Sequence, residues 1–272
     1  NLYLMTAVLI TSALSFAAIG VTYVQGSDAL ACIMVRFNDV FSISLRIDGA
    51  SMVFGTIVST LWPIITVYAI DYMSHEGSEN RFFSFWLMAY GVVLGVAYSE
   101  DFLSLYLFYE LLTLSTLPLV MHALDSKARY AGRIYLTYSM CGAALGFIAM
   151  VLLLEHGGMF FQFGGGVSVL AGKENTLRAA YVLGFFGFGV KAAVFPGHRW
   201  LLRASVAPTP VTALLHAVAV VKAGVFAVTR LTWYGYGPDL IRGSWAQYLV
   251  MGAAMFTIAY GSAKALRTQH LK

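Results

Sequence analysis

The fold of this chain is decided by residues 184–200, GFFGFGVKAAVFPGHRW, together with residues 217–228, AVAVVKAGVFAV. Each stretch places one lysine, Lys191 or Lys222, inside an otherwise apolar run. An ionisable side chain at the centre of a membrane helix costs roughly 2.5 to 3.5 kcal/mol, so such a lysine is expected to face the protein interior and to serve a function. Pro196 predicts a break in the first helix, and lipid tolerates the freed carbonyl groups only where protein or water covers them.

The composition indicates a protein that crosses a membrane several times. Of its 272 residues, 59% are hydrophobic and only 11% are charged, with a mean hydropathy of +0.75, whereas soluble domains are about a quarter charged. No basic block with interleaved aromatic residues suggests binding to nucleic acid, although the net charge is +4. Cys32 and Cys141 lie in different segments without a CxxC pattern, so we expect no cysteine-built metal or iron–sulfur site and no cofactor.

Apolar runs of about 20 residues, the length that crosses roughly 30 Å of hydrocarbon, predict an all-α polytopic membrane protein with about eight spans, one of them broken at Phe195–Gly197. The expected spans are Leu2–Val24, Ala50–Met73, Phe82–Ser99, Phe102–Ala123, Tyr130–Leu154, Leu177–Phe195 with a continuation through Trp200–Leu202, Pro210–Trp233 and Trp245–Leu266. We expect a single transmembrane domain over residues 1–272, made of a first helix (1–24), a hairpin loop (25–49) and the remaining helices (50–272).

Two connections differ from simple loops. Ile33–Ile47 alternates apolar and polar residues, with Asn38-Asp39 as a candidate turn, which predicts a small extracytoplasmic β-hairpin. Asp48, directly after it, is expected to fix the start of the second span. Met159–Asn175 is rich in glycine and predicts a loop or a shallow interfacial element.

Loops that alternate across the spans predict the orientation, because the side richer in lysine and arginine is usually cytoplasmic. That side is expected to contain loops 124–130 and 197–207, in a multi-pass protein of the cell (inner) membrane. The pair Glu100-Asp101 is expected at a solvated turn. The richer set is Arg81, Lys127, Arg129, Arg133, Arg199, Arg203, Lys264, Arg267 and Lys272, and the poorer set is Arg36, Arg46, Lys173, Arg178, Arg230 and Arg242.

Glu110 lies near the middle of the fourth predicted span, where a carboxylate requires a cation or hydrogen-bond donors. Tyr106 and Thr113, at positions i−4 and i+3, share its helical face and are expected to supply hydrogen bonds or to hold water. The alternative for Glu110 is a structural ion pair, or a protonated and hydrogen-bonded side chain.

Lys191 precedes Pro196 on the helix that is expected to break, so water and ions can lodge near it. Loss of water favours a neutral lysine, and a nearby carboxylate favours a charged one. A change at Glu110 would therefore load or release a proton at Lys191. The alternative is a structural lysine that extends to the membrane interface.

Lys222 lies deeper, with apolar residues on both sides and Gly224 beside it for close helix contact. His216 precedes it on the same predicted helix, with a side chain about 120° away, so a bridging water or a neighbouring group would be needed between them. Histidine titrates near neutral pH and suits a relay, but a lone histidine in a helix is often structural. His198, beyond the break, is expected as a supporting group on the access path or as a structural residue.

These residues resemble a known family, the antiporter-like membrane subunits shared by respiratory complex I, Mrp-type cation/proton antiporters and energy-converting membrane-bound hydrogenases. The resemblance extends over essentially the whole chain. It is carried by IDGASM (47–52), RFF (81–83), YE (109–110), AGRIYL (131–136), KAAVFPGHRWL (191–201), APTPVTALLHA (207–217) and VKAGV (221–225).

In such proteins two inverted five-helix repeats each contain a broken helix, and Glu, Lys and His residues at mid-membrane move protons. The resemblance implies that Glu110, Lys191, His216 and Lys222 form the first half-channel. It also implies that residues 50–272 contain the first repeat and the start of the next segment, while an initial helix and most of the second repeat lie outside this chain.

The chain departs from the family pattern at two places. Where the family commonly has Trp-Leu-Pro, this chain has Trp200-Leu201-Leu202, so the second half of the broken helix is expected to continue differently. Arg133 stands on a span where the family frequently has a lysine. Because arginine does not release its proton in proteins, Arg133 fits an electrostatic partner better than a proton carrier.

Three functions are compatible with this pattern. The leading hypothesis is a proton-translocating subunit of a large respiratory or hydrogenase complex, which has no redox centre of its own and is driven by a redox-coupling partner subunit. The second is a subunit of an Mrp-type Na⁺/H⁺ antiporter that works without electron transfer. The third is a quinone-binding or structural membrane scaffold. The expected partners are other membrane subunits, the lipid bilayer, and H⁺ or Na⁺.

Overall fold

The computed structural model describes residues 2–26, 30–38, 41–167 and 172–268. Within these ranges the chain is built from helices and one two-stranded sheet. In chain order the helices are α1 (Leu2–Gln25), α2 (Gly49–Met73), α3 (Glu79–Tyr98), α4 (Phe102–Val120), α5 (Ser126–Glu155), α6 (Glu174–Gly189), α7 (Arg199–Ala204), α8 (Thr209–Ala217), α9 (Val220–Thr229), α10 (Pro238–Ile241) and α11 (Trp245–Arg267). A π-helical segment, Arg230–Tyr236, directly continues α9.

Seven helical stretches in the described residues are long and apolar enough to cross a membrane. Six of them are α1 to α5 and α11, and the seventh, Thr209–Tyr236, combines α8, α9 and the π-helical segment. The expected all-α polytopic architecture is confirmed. The predicted span Leu177–Phe195 differs, because α6 has 16 residues and ends at Gly189. At 1.5 Å per residue it covers about 24 Å, less than the roughly 30 Å of a bilayer core.

The helix break begins earlier than the sequence predicts. The chain leaves α6 after Gly189 and runs through irregular backbone until α7 begins at Arg199. Freed polar groups find partners there, since the Val194 N–H donates to the Gly189 carbonyl at 2.9 Å and the Trp200 indole donates to the Val190 carbonyl at 2.7 Å. The predicted break at Phe195–Gly197 is therefore only the second half of the interruption. Lys191 lies in the first half.

A second interruption separates α8 from α9 at Val218–Ala219. Here the Ala219 N–H donates to the carbonyl of Leu214, five residues back, at 2.8 Å, so one residue is inserted into the α-helical ladder. Neither Pro nor Gly stands at this point to mark it. His216 and Lys222 lie in one candidate span, as expected, but the helix between them is interrupted, because α8 ends just after the first and α9 contains the second.

Small residues bring the helices into close contact. Gly142 of α5 and Gly187 of α6 face each other, and a Cβ atom on Gly142 would lie 2.7 Å from the Gly187 carbonyl oxygen. Membrane helices associate through such close backbone packing, because lipid provides no hydrophobic driving force between them. The largest buried side chains include the stacked pair Trp62 and Tyr90, with ring centroids 4.8 Å apart.

The predicted β-hairpin is confirmed. Strands β1 (Cys32–Arg36) and β2 (Ser42–Leu45) pair antiparallel, with Cys32 opposite Leu45. Asp39, the second residue of the predicted turn, lies outside the described residues. Directly after the hairpin, the Asp48 carboxylate accepts a hydrogen bond from the Ser51 N–H at 2.9 Å and caps α2, as expected.

The glycine-rich connection after α5 is a loop wherever it is described, and residues 168–171 lie outside the described ranges. Its Gln162 N–H donates to the Tyr234 carbonyl at 3.1 Å, and the Phe102 N–H donates to the Met159 carbonyl at 3.1 Å. The hairpin reaches the same end of the bundle, since the Arg46 N–H donates to the Tyr98 carbonyl at 2.8 Å. Both connections therefore lie at one face of the bundle, and the side of the membrane that this face meets stays a prediction.

Asp101 was expected at a solvated turn, and this expectation is wrong. Its side chain is fully buried at the start of α4. The carboxylate accepts hydrogen bonds from the Ser104 N–H at 2.7 Å and from the Ser44 hydroxyl at 2.8 Å. Burial raises the pKa of Asp101, and these hydrogen bonds oppose that effect. Asp101 joins the hairpin to α4.

Candidate functional site

Lys191 is buried at the break in the sixth predicted span. Its side chain is 1% exposed, and its ammonium donates a hydrogen bond to the backbone carbonyl of Tyr109 on α4. The same ammonium lies 3.5 Å from the centroid of the Tyr109 ring, a cation–π contact. The Glu110 carboxylate is the nearest anion, with 3.8 Å between Nζ and Oε1. Lys191 and Glu110, which the sequence analysis expected to influence each other, are therefore close together in the structure.

Backbone contacts from two helices fix the position of Lys191. The Tyr109 hydroxyl donates to the Phe188 carbonyl at 2.7 Å, which ties α4 to the end of α6. On the other side Gly224 of α9 packs against the break, and a Cβ atom there would lie 2.8 Å from the Lys191 carbonyl carbon. The prediction that Gly224 serves close packing is confirmed. A larger residue would push α9 away from the break.

The pair between Lys191 and Glu110 is loose. At 3.8 Å the ammonium and the carboxylate attract each other, but the separation exceeds hydrogen-bond length. The Glu110 Oε1 atom is buried and has no hydrogen-bond partner among the described residues, while the side chain as a whole is 22% exposed. This arrangement leaves the lysine ammonium able to give up its proton and the carboxylate able to accept one, without first breaking a direct hydrogen bond between them.

The two residues expected to support Glu110 behave differently. The Tyr106 hydroxyl donates to the Ala143 carbonyl of α5 at 3.3 Å, so it bridges two helices and does not hydrogen-bond to Glu110. Thr113 is fully buried, and its hydroxyl has no hydrogen-bond partner among the described residues.

Lys222 does not join Lys191. It lies on the outer face of α9 in an apolar groove of about 410 Å³ between α2 and α9, lined by Val53, Phe54, Ile57, Val225 and Phe226. The physical reason is its spacing from Gly224, since positions two apart on a helix point about 200° apart. Gly224 faces the break, so Lys222 faces away from it. Lys222 forms no ion pair with a residue that the structure describes.

His216 is half-buried on α8, before the second interruption. Its side chain makes no hydrogen bond with Lys191, Lys222 or Glu110, all of which the structure describes. The four residues expected in one relay therefore divide into one contacting pair and two separate positions.

The remaining two candidates lie at the edges of the site. Arg133 is exposed on α5 and forms no ion pair with Glu110. The ring of His198, just past the break, stacks on Phe195 with centroids 5.4 Å apart and meets Tyr260 of α11 at 5.4 Å. His198 thus packs the end of the break against α11 and does not approach Lys191 directly.

Sequence reasoning missed a second buried ion pair. Arg230 was counted among the loop residues that predict orientation, although it lies inside the seventh predicted span. Its side chain is 1% exposed and donates two hydrogen bonds to the Asp48 carboxylate. The hydrogen bond from Nη2 is 2.6 Å long. Nη2 also donates to the Ser51 hydroxyl at 2.7 Å. The position of Arg230 inside the seventh predicted span was the signal for burial.

The Arg230 guanidinium joins the start of α2 to the π-helical segment after α9. It lies over the rings of Tyr234 at 4.5 Å, Phe161 at 4.8 Å and Phe226 at 5.0 Å. Asp48 immediately precedes the second span; although burial alone raises the pKa of its carboxyl, the Arg230 guanidinium holds that pKa below its ordinary value of 3.8. This pair is a fixed tie between distant parts of the chain.

Sequence profiles of known families match most of the chain. Residues 99–272 match the family described as "NADH:quinone oxidoreductase/Mrp antiporter, TM". Residues 37–83 match the family described as "NADH-Ubiquinone oxidoreductase (complex I), chain 5 N-terminus".

The proteins similar to this chain include a curated antiporter subunit and chains of two solved complexes. A Na⁺/H⁺ antiporter subunit of Alkalihalophilus pseudofirmus is 32% identical over 237 residues, which is 85% of this chain and 28% of that protein. The Mrp complex from Dietzia sp. DQ12-45-1b contains a chain with a TM-score of 0.72 at 21% identity, covering 93% of this chain and 48% of that one. A chain of the membrane-bound sulfane sulfur reductase, an archaeal respiratory membrane complex, gives 0.71 at 20% identity, with coverages of 84% and 47%.

The chain therefore spans between a quarter and a half of the length of these proteins. At about 20% identity the two structural likenesses concern the fold alone.

Proposed function

The chain belongs to the NADH:quinone oxidoreductase/Mrp antiporter transmembrane family, and from this premise we propose that it is a proton-carrying part of a cation/proton antiporter subunit of the Mrp type. The observation that carries the proposal is the buried, loosely bound pair of Lys191 and Glu110 in irregular backbone at membrane depth. Broken helices at this depth are the usual place for ion sites in transporters.

In this proposal the proton is held by Lys191 while Glu110 is negatively charged beside it. When a proton neutralises Glu110, the attraction that favours the charged lysine disappears, and desolvation then favours release of the proton from Lys191. The proton passes on toward His216 and Lys222. Because neither residue touches Lys191, these transfers run through water or through protein that packs on the outer face of α9. The chain needs no redox or hydrolytic centre for this role.

The Mrp-type assignment is supported by the name of the curated relative, which is a Na⁺/H⁺ antiporter subunit. A proton leaving the relay would then be exchanged for a cation such as Na⁺ moving in the opposite direction. The partners in this proposal are other membrane subunits of the same complex. The complex would lie in the cell (inner) membrane, with loops 124–130 and 197–207 on the cytoplasmic side, where their arginines and lysines are favoured.

The second candidate is the same proton carrier driven by electron transfer in a partner subunit. It is favoured by one observation, that the description of the matching family names a NADH:quinone oxidoreductase as well as the Mrp antiporter. The two candidates share the relay and differ in what drives it.

The test uses the complete complex that contains this chain, reconstituted into vesicles with a pH-sensitive dye inside. Glu110→Gln is expected to reduce proton movement about 100-fold or more, the lower range for removal of a proton-transfer group. Glu155→Gln, at the exposed end of α5, serves as the control and is expected to keep the wild-type rate. Wild-type proton movement in Glu110→Gln would refute the proposal.

The same vesicles separate the two drivers. An Mrp-type antiporter acidifies or alkalinises the vesicle interior when a Na⁺ or K⁺ gradient is imposed without any electron donor. A redox-driven subunit moves protons only when donor and acceptor are supplied. A response to the donor alone would replace the antiporter assignment with the second candidate.

A further inference from the structure

Three buried side-chain oxygens without hydrogen-bond partners converge beside the Lys191–Glu110 pair. They are Glu110 Oε1 and the hydroxyls of Thr113 and Ser139, and they account for three of the seven buried side-chain atoms that lack a partner among the described residues. Thr113 follows Glu110 by about one turn on α4, and Ser139 lies on α5, which packs against α4. Leaving one buried polar group unsatisfied costs about 1 to 3 kcal/mol, so three together require an explanation.

A tyrosine hydroxyl lies at the centre of this cluster. Tyr135 of α5 is completely buried, and its hydroxyl forms a hydrogen bond of 2.8 Å with the Thr116 hydroxyl. It also interacts electrostatically with Thr113, Ser139 and Glu110, although the two orphaned hydroxyls do not reach the geometry of a direct hydrogen bond. A polar cluster of this kind satisfies its members when ordered water bridges them.

The free hydroxyl of Thr113 has a specific cause. A threonine in a helix usually donates to the carbonyl four residues back, as Thr116 does to Leu112 at 2.6 Å. For Thr113 that carbonyl belongs to Tyr109, and it already accepts the hydrogen bond from the Lys191 ammonium. While Lys191 holds this carbonyl, the Thr113 hydroxyl has no hydrogen-bond partner on its own helix.

We propose that Tyr135, Thr113 and Ser139, bridged by ordered water, form a hydroxyl relay that carries protons between Glu110 and the end of the bundle where α4 joins α5. The relay deepens the proposed function and rests on it. The Tyr135 hydroxyl, which hydrogen-bonds to Thr116, is its far end, and Thr116 lies six residues beyond Glu110 on α4, about 9 Å at 1.5 Å per residue. Thr113 is the member whose availability depends on Lys191.

The proton balance of the relay is simple. At each step an oxygen of water, Thr or Tyr accepts one proton and releases another to its neighbour, so every hydroxyl is neutral before and after the transfer. Only Glu110 and Lys191 change charge. When Lys191 loses its proton and leaves the Tyr109 carbonyl, the Thr113 hydroxyl is free to donate to that carbonyl. This would open a gap in the relay, so that Glu110 is not reprotonated from this side while Lys191 is empty.

The experiment removes single hydroxyls in the complete reconstituted complex and measures the proton-movement rate in H₂O and in D₂O. Tyr135→Phe keeps the ring against Trp200, at 5.1 Å between centroids, and Thr113→Val keeps the shape of the side chain. Each is expected to slow proton movement at least tenfold and to change the solvent isotope effect. The matched controls are Tyr138→Phe on the same helix and Thr137→Val, whose hydroxyl donates to its own helix at the Arg133 carbonyl. Both controls are expected to keep the wild-type rate and isotope effect.

Two results would overturn the relay. The first is a wild-type rate and an unchanged isotope effect in both Tyr135→Phe and Thr113→Val. The second applies when one of these variants does not assemble. If Tyr135→Phe fails to assemble, a wild-type result in the double variant Thr113→Val/Ser139→Ala decides against the relay in the same way. Glu110→Gln in the same series distinguishes the two proposals. If Glu110→Gln loses transport while the hydroxyl variants keep the wild-type rate, only the relay is refuted. If Glu110→Gln itself keeps the wild-type rate, the proposed function is refuted.

A second measurement tests the dependence on Lys191. Electron cryomicroscopy of the complex at a resolution that shows water is expected to find ordered water between Glu110 and the Tyr135 hydroxyl. In Lys191→Met the Tyr109 carbonyl is released, and the Thr113 hydroxyl is expected to donate to it. Wild-type Thr113 geometry in this variant would contradict the gate.

Discussion

Two buried pairs of opposite charge, Lys191 with Glu110 and Arg230 with Asp48, are built in different ways. Arg230 donates two hydrogen bonds to Asp48 and a third to Ser51, so its fork-shaped guanidinium is fixed against the carboxylate. Lys191 lies 3.8 Å from its carboxylate and hydrogen-bonds to a backbone carbonyl instead.

The difference fits the proposed function, in which one pair is structural and the other changes its protonation. Arginine keeps its proton in proteins and suits a permanent tie, whereas a desolvated lysine releases its proton readily. The pair that ties α2 to the π-helical segment uses arginine at the edge of the bundle. The pair in the break uses lysine at membrane depth. The Arg230–Asp48 pair, whose members lie 182 residues apart, was not predicted from the sequence, whereas an effect of Glu110 on Lys191, 81 residues away, was.

The largest expected effect comes from exchanging the cation in the break. Lys191→Arg keeps the positive charge but not the ability to release a proton, so proton movement is expected to fall about 100-fold or more. The measurement is the initial rate of pH change in vesicles that contain the complete complex. Lys127→Arg, at the exposed start of α5, is the control. Wild-type transport by Lys191→Arg would mean that this lysine is a fixed charge like Arg230.

The second effect concerns stability. Arg230→Met leaves the Asp48 carboxylate partly buried without its cation, and breaking such a pair costs about 3 to 5 kcal/mol. We expect a large drop in the denaturation midpoint of the purified complex in detergent, with part of the loss recovered in Arg230→Met/Asp48→Asn. Arg242→Met, at an exposed position, is the control, expected to change stability by less than about 0.5 kcal/mol. An unchanged midpoint in Arg230→Met would remove the structural role.

A smaller effect is expected from Arg230→Lys. The charge remains, but the two-pronged contact with Asp48 and the bond to Ser51 cannot both be kept by one ammonium. We expect a loss of about 1.5 kcal/mol, equivalent to one hydrogen bond to a charged group, and a normal transport rate per assembled complex. A transport defect larger than the loss of assembled complex would show that Arg230 acts in proton movement.

The smallest effect is a pH dependence of the structural pair. The folded-state pKa of Asp48 lies below its ordinary value of 3.8, so the pair stabilises the fold above that value and loses its contribution as pH falls through the folded-state pKa. The stability difference between wild type and Asp48→Asn is therefore expected to be constant from pH 7 to about pH 5 and to shrink below about pH 4. A difference that instead grew on acidification would contradict the assignment.

Much of the fold could be predicted from the sequence. Long apolar runs fix the spans, because hydrocarbon requires about 20 apolar residues with every backbone group paired inside the helix. Alternation of apolar and polar residues predicted the hairpin, and Pro196 predicted a broken helix. The extent of the break was not predictable, since the early end of α6 at Gly189 depends on partners such as the indole of Trp200.

The candidate site was predictable only in part. The choice of Lys191 and Glu110 as candidate functional residues followed from the cost of charge in lipid. That Lys222 turns away followed from packing, because Gly224 faces the break and fixes the rotation of α9. The interruption at Val218–Ala219 has no proline or glycine to mark it, so the angle between His216 and Lys222 could not be read from helical periodicity.

The sequence by itself determined the class of the protein, the approximate spans, the hairpin and the presence of Lys191 and Glu110 within apolar segments. These depend on local composition and spacing, which physical chemistry constrains directly. The tertiary structure alone decided that Arg230 meets Asp48, that Lys222 faces away from Lys191, and that Lys191 occupies the Tyr109 carbonyl. Such pairings are set by how helices distant in sequence pack together, and one residue's rotation around a helix is enough to change them.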